Sequence, residues 1–425
     1  MTSTDAAIPA QSNDAHTPTA FGYYKLQNTP LALGLRHTLE RFAKTDVTLP
    51  DDVVAAYGRS FDRGDPLGDV FIDRAFAEPA TRKRARPNVE QALESGIGSV
   101  ETASPELVAM FEQIDRDPSW ADWDVIEHGA EVFRRYGKEL YPYFGMITFV
   151  AYALPTISTT LGMTGAYTGG SAFRRYLETC RLWTDTTEPG AMRPGGRGRR
   201  SAVLVRVLHS MIRRKLLAHP SWDRARLGVP INQAGMFNTL MASSQFPGQQ
   251  LKLLGYRPTD DDIVAMMHHW RYVGHLMGVD PAWYPQSAQD GFRAQYLVAM
   301  SEAPVVTEDT AKLASSWMAQ YLPKDSDSRS RRVIAQLNYR AQLGHARFYN
   351  GPDIYQMTGL PDPGAWRFLP LLRFAPNFAR ETARRSLPMV GRRIDQVHRD
   401  QRQEFLRAHL DGGEAKFAPV DQLAR

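Results

Sequence analysis

The stretch Ser171–Leu217, SAFRRYLETCRLWTDTTEPGAMRPGGRGRRSAVLVRVLHSMIRRKLL, reads as two helices joined by a Gly/Pro-rich loop. On the second helix, Val205, Leu208, Ile212 and Leu216 recur at helical spacing and form an apolar stripe. His209 lies at its edge, with Arg206 three residues back and Arg213 four residues on. Residues three and four apart share a helix face, so one imidazole stands between two guanidiniums. On the first helix Arg175 and Thr179 are likewise four apart and share a face with Leu182.

An imidazole at the border of a buried face suits an axial iron ligand. Flanking cations suit the two propionates of haem b. The plainer alternatives are a core histidine satisfied by a backbone carbonyl, and arginines on a solvated helix edge. Arg175 and Thr179 serve as helix braces on the same plain reading. His275 is the other axial candidate, although it points away from the apolar stripe of its own helix. His268 and His269 are adjacent and cannot share one face, which argues against a two-metal site. Gly195-Gly196-Arg197-Gly198 lacks the Lys-Ser/Thr ending and the preceding strand of a phosphate loop.

Working outward, the 425 residues carry a formal net charge of +5, and 43% are apolar. That is an ordinary globular composition. The basic runs Arg82-Lys83-Arg84, Arg197–Arg200 and Arg329–Arg332 are short and scattered, so nucleic acid is not expected as a partner. Cys180 is the only cysteine, which excludes an intrachain disulfide or a thiolate cluster and fits a reducing, cytoplasmic setting. Residues 1–20 are polar, show no signal-peptide pattern and read as a disordered tail. Residues 411–425 read as a second tail. No charged residue occurs from Leu140 to Phe173, but Pro142, Pro155 and the glycines 162, 165, 169 and 170 break it. A buried broken helix followed by a Gly/Thr-rich turn is expected there rather than a transmembrane span, with peripheral membrane contact left open.

Helix signals run the length of the chain. They include Thr29–Phe42, the turn Gly64–Asp69 feeding a helix, Ser104-Pro105-Glu106 as a cap, and Thr259–Met277 with Ile263, Met266, Trp270 and Val273 on one face. Ala80–Arg86 reads as an exposed connection, and Thr186–Arg200 as an exposed, lid-like loop. No strand alternation or fixed repeat appears. The expected fold is all-α, with one large helical domain over residues 21–410 enclosing a haem pocket.

At His209 the chain resembles the latex-clearing protein (rubber oxygenase) and MpaB-type oxygenase superfamily, helical b-type haem proteins. The matching pieces are GDPLGD at Gly64–Asp69, Arg175-x-x-x-Thr179, and the histidine thirty residues beyond that threonine. GVPINQ at Gly228–Gln233 and HHWRYVGHLMGVDP at His268–Pro281 follow in order. The resemblance implies His209 as proximal iron ligand, Arg175 and Thr179 in haem support or catalysis, and Arg206 and Arg213 beside the propionates. It also implies O2 and a hydrophobic, unsaturated small molecule as reactants, cleaved oxidatively at a double bond. Two positions depart from the pattern. Glu178 stands where the rubber oxygenases have a lysine, and Thr156–Gly162 lacks their upstream acid. A non-catalytic haem- or lipid-binding protein is the alternative these departures suggest.

Overall fold

Proline and short polar side chains start most of the helices. The computed structural model describes residues 16–165 and 171–410. Within them the structure is helical, with a single isolated bridge between Phe21 and Glu302. The helices that build the site are α1 (Pro66–Ala75), α2 (Trp123–Arg135), α3 (Leu140–Tyr152), α4 (Pro155–Met163), α5 (Ser171–Thr186) and α6 (Arg197–Leu217). They are followed by α7 (Gln233–Ser243), α8 (Asp260–Leu276), α9 (Arg329–Met357), α10 (Phe374–Ser386) and α11 (Pro388–His409).

The starts follow elementary chemistry. Ser104 Oγ accepts the Leu107 N–H ahead of Pro105, which occupies the position where a missing N–H costs nothing. Thr259 and Asp262 form a reciprocal capping box on α8. Buried apolar residues from Phe21 to Leu410 join one contiguous core, and a small satellite cluster holds Met163, Leu216, Trp222 and Leu227. At its centre α2 lies along α8 so closely that a Cβ on Gly129 would strike the Ala265 carbonyl. Only glycine permits that approach.

The charge-free stretch behaves as a core element. Helices α3 and α4 meet at a 99° bend, and no single helix among the described residues is long and apolar enough to cross a membrane. The Gly/Thr-rich turn expected after them falls at 166–170, outside the described residues.

Three expectations need correction. Ala80–Arg86 is not a connection but part of a continuous helix, Pro79–Ser95. Its Arg/Lys/Ala content favours helix, and the break expected before Asn88 is absorbed with Pro87 inside the helix. The loop before α6 is shorter than expected, 187–196, and only partly exposed. Thr187, Ala191 and Met192 are buried, and Arg199 N–H donates to the Ala191 carbonyl (2.9 Å). The last residues of the expected N-terminal tail are tied down, with Thr19 and Ala20 N–H donating to the Ala225 and Arg226 carbonyls (3.2 and 2.9 Å). Residues 1–15 and 411–425 lie outside the described residues.

Candidate functional site

Helix α6 carries the candidate ligand, but its most buried polar line is not the expected apolar stripe. Leu208 and Ile212 are only half-buried, whereas Arg206, Ser210 and Arg213 are buried together at helical spacing, facing α1. The reason is a salt-bridged knot. Arg206, 1% exposed, grips Asp65, 2% exposed, through Nε to Oδ2 (2.7 Å) and Nη2 to Oδ1 (2.9 Å). Its Nη1 donates to Gln113 Oε1 (2.6 Å), and Gln113 in turn meets the His275 ring (3.0 Å). Arg213 Nε meets Asp69 (2.8 Å), Nη1 donates to the Ile231 carbonyl (2.9 Å) and Nη2 to Ser210 Oγ (2.9 Å). Both arginines flanking His209 therefore have protein carboxylates as partners, where the sequence suggested cofactor propionates.

The motif pieces converge on this knot. GDPLGD supplies both carboxylates, and Gly68 is required because a Cβ there would press on Asp65 and Ser210. Gln233, the last residue of GVPINQ, donates to the carbonyls of Gly64 (2.8 Å) and Gly278 (2.9 Å) and accepts from Asp280 N–H (2.8 Å). Gly278 sits at φ +73° with its α-carbon against the Asp65 carboxyl, which excludes any side chain. Four segments far apart in sequence thus meet in one buried polar cluster. Burial pushes the Asp65 carboxyl up, but the Arg206 guanidinium outweighs it and holds Asp65 below the usual carboxylate range.

His209 stands beside the knot without joining it. Its Nδ1 is buried and has no hydrogen-bond partner. Burial first, then the Arg213 charge, push its pKa down to about 3, with Asp65 pulling weakly the other way. The ring is therefore neutral in ordinary conditions, the form an iron ligand must take. His269 is fully buried with Nδ1 facing the Ile126 carbonyl (3.2 Å), although its Nε2 is likewise buried without a partner. His268 accepts from Asp122 N–H (3.2 Å), and its ring lies edge-on to Trp120.

Arg175 and Thr179 sit apart from the arginine knot. Arg175 Nη1 and Nη2 donate to Thr164 Oγ1 (3.0 Å) and the Thr164 carbonyl (2.9 Å), capping the carbonyl end of α4. Thr179 Oγ1 donates back to the Arg175 carbonyl (3.0 Å). Glu178 is half-buried, raised by that burial, and faces Arg174 (3.6 Å).

An acid from a distant part of the chain meets the start of the Thr156–Gly162 stretch. Glu302, 3% exposed, accepts from Thr156 N–H (2.7 Å) and Thr156 Oγ1 (2.7 Å) at the start of α4. Burial pushes its pKa up to about 7. No local pattern marks it, because 146 residues separate the partners. The carboxylates of the knot escaped sequence reasoning for the same reason, although Asp65 and Asp69 stood in a quoted motif. Among the described residues no three His, Cys, Asp or Glu side chains converge as a metal site.

Comparison with known proteins follows this geometry. The family described as ER-bound oxygenase mpaB/B'/Rubber oxygenase, catalytic domain, matches residues 134–384, a span holding His209 and both arginine helices. The rubber oxygenase of Streptomyces sp. (strain K30) is 28% identical over 230 residues, covering 53% of this chain and 54% of that protein. The chain thus matches about half the length of that curated relative. The structure of latex clearing protein LCP in the closed state superposes with a TM-score of 0.57 at 20% identity, over 80% of this chain and 88% of that one. That likeness is one of fold, and it agrees with the all-helical architecture. With more than half of its length matched, and with that half carrying His209 and both arginines that lock it to GDPLGD, the chain belongs to the mpaB/B'–rubber oxygenase catalytic-domain family.

Proposed function

We propose that this protein is a haem b-dependent oxygenase of a lipophilic, unsaturated small molecule, with His209 as the residue that would hold the iron. The observation that carries the reading is the buried, unpartnered Nδ1 of a neutral imidazole on α6. A buried polar atom without a partner costs free energy, and His209, unlike His269, has no hydrogen bond on either ring nitrogen among the described residues. The donor set agrees: among the described residues His209 is not part of a chelating cluster, which suits a macrocycle that brings its own four nitrogens. Leu208 and Ile212, half-buried beside His209, give the cofactor an apolar wall. Haem bound there supplies the iron and the redox chemistry that bring O2 to a carbon–carbon double bond. One O2 and one double bond yield two carbonyls, so the overall balance needs no external reductant.

The chain's own residues bind and position. Arg206 and Arg213 act in this proposal through the helix, fixing α6 against Asp65 and Asp69 so that His209 keeps its direction. Arg175 steadies the end of α4 from α5, and Thr179 bonds back onto the Arg175 carbonyl of α5 itself. Glu302 holds a proton near neutral pH at the other end of α4. A cytoplasmic location belongs to the same proposal and leans on the lone, buried Cys180.

The test is an absorption spectrum of purified wild type and His209→Ala, oxidised and dithionite-reduced, after haem supplementation. A Soret band in wild type that is lost or reshaped in the variant is expected. A haem-replete wild type without a Soret band overturns the reading. The non-catalytic alternative is favoured by Glu178 and the acid-free Thr156–Gly162 stretch. It predicts the same Soret band with no O2 uptake on an isoprenoid substrate.

A further inference from the structure

One surface segment of this protein is strongly cationic. Residues 364–393 contain seven arginines and a single acid, Glu381, a net +6 in a chain whose total is +5. The rest of the molecule is close to neutral, at −1. This segment comprises the 3-10 helix Gly364–Arg373, α10 and the first turns of α11.

Its apolar pattern is inverted. Helix α10 turns Asn377 and Glu381 inward: both are 3% exposed, Asn377 Nδ2 donates to the Leu254 carbonyl (2.9 Å), and Glu381 pairs with Arg384 (3.0 Å). Outward go Phe374 and Phe378, stacked on each other, and next to them along the chain Phe368 (54% exposed) and Leu372 (73%). A helix that keeps its polar residues for the protein and its aromatics for the outside is built against something apolar. In the same segment Arg380, Arg385, Arg392 and Arg393 are exposed and meet no carboxylate among the described residues.

We propose that residues 364–393 form a docking face for an anionic lipid bilayer, the phenylalanines and leucines entering the headgroup boundary and the arginines meeting lipid phosphates. Charge complementarity selects this occupant. A second copy of the chain would bring the same +6 against itself across a two-fold interface. A nucleic acid would satisfy the arginines but leave the apolar residues in water. Arginine suits the interface because its aliphatic stem lies along apolar surface while the guanidinium binds phosphate. The inference stands on surface composition alone and is independent of the cofactor reading.

Co-sedimentation of the full-length protein with phosphatidylcholine vesicles, with and without phosphatidylglycerol, tests it. Binding is expected only with phosphatidylglycerol, and high salt should release it. Phe368→Ser/Leu372→Ser and, separately, Arg380→Gln/Arg385→Gln/Arg392→Gln/Arg393→Gln should each weaken the partition by about tenfold or more. Thermal midpoints should remain near wild type, which distinguishes lost docking from lost folding. Absence of binding to the phosphatidylglycerol vesicles overturns the proposal, as does wild-type binding by both variants. A solution dimer that Phe368→Ser/Leu372→Ser dissociates assigns the face to a second copy and overturns it as well.

Discussion

Two groups of arginines do opposite work in this molecule. In the knot on α6, Arg206 and Arg213 are buried, and each is matched by a carboxylate from α1 or its N-cap. On the face over residues 364–393, Arg380, Arg385, Arg392 and Arg393 stand in solvent. A guanidinium taken out of water must find an anion and fill its remaining donors, and once it does it is locked. A guanidinium left in water contributes little to stability and stays available for a partner. The difference shows why an arginine beside a candidate ligand is weak evidence for a cofactor contact until its own partner is known.

The comparison breaks most sharply on substitution. Arg206→Met leaves the Asp65 charge buried without its partner and should cost about 3–5 kcal/mol in urea unfolding. Arg385→Gln on the exposed face should stay within about 0.5 kcal/mol of wild type. Equal effects would mean that the two groups do not differ as described. Next in size is Gly278→Ala, which places a Cβ against the Asp65 carboxyl at a positive φ. About 1–3 kcal/mol is expected from the backbone strain, more where the ion pair shifts, read as a lower denaturation midpoint.

Much of this architecture could be read from the sequence, and what was missed shares one physical cause. Helices were legible because their signals are local: Thr259 four residues before Ile263, or Ser104 before Pro105, needs no knowledge of the rest of the chain. His209 stands out in the sequence because its helix and the family spacing both single it out. The partners of Arg206 and Arg213 were not, since Asp65 and Asp69 lie 141 and 144 residues away. Nothing local states that GDPLGD will lie on α6. Glu302 was hidden in the same way behind Thr156. The Ala80–Arg86 helix was missed for another reason: a run of charged side chains reads as an exposed connection, yet those same residues are good helix formers.

Buried and half-buried imidazoles sharpen the comparison through pH. His209 and His269 are pushed down to about 3, and His275 and His398 to about 4, burial being the first cause in each. A folded pKa below the unfolded value of about 6.5 means that the unfolded chain binds more protons between the two. Stability is therefore fully present above about pH 6.5 and lost as the pH falls toward 4. For the fully buried His269 the loss by pH 4.5 should be on the order of 1–2 kcal/mol, seen as a falling thermal midpoint from pH 7 to 4.5. A flat midpoint over that range contradicts neutral burial of these rings.

The smallest effect has the opposite sign. Glu302 is as buried as Asp65 but has no guanidinium in contact, only hydrogen bonds from Thr156 and the more distant charge of Arg226. These fall short of the burial cost, so its carboxyl is raised to about 7 where Asp65 is held low. A raised folded pKa means that the folded chain keeps its proton longer. The stability it adds is present below about pH 4.5 and lost as the pH rises through 7. Glu302→Gln removes the titration but also one of the two acceptors serving Thr156. At pH 5 the variant should lie within about 1 kcal/mol below wild type, the usual worth of one hydrogen bond. At pH 8, where the wild-type side chain is ionised in its apolar site, the gap should close or reverse. Thermal midpoints of both proteins at pH 5 and 8 decide the matter. A gap that does not change with pH would show that Glu302 is stabilised as an anion like Asp65, and that burial without a partnered guanidinium is no different from burial with one.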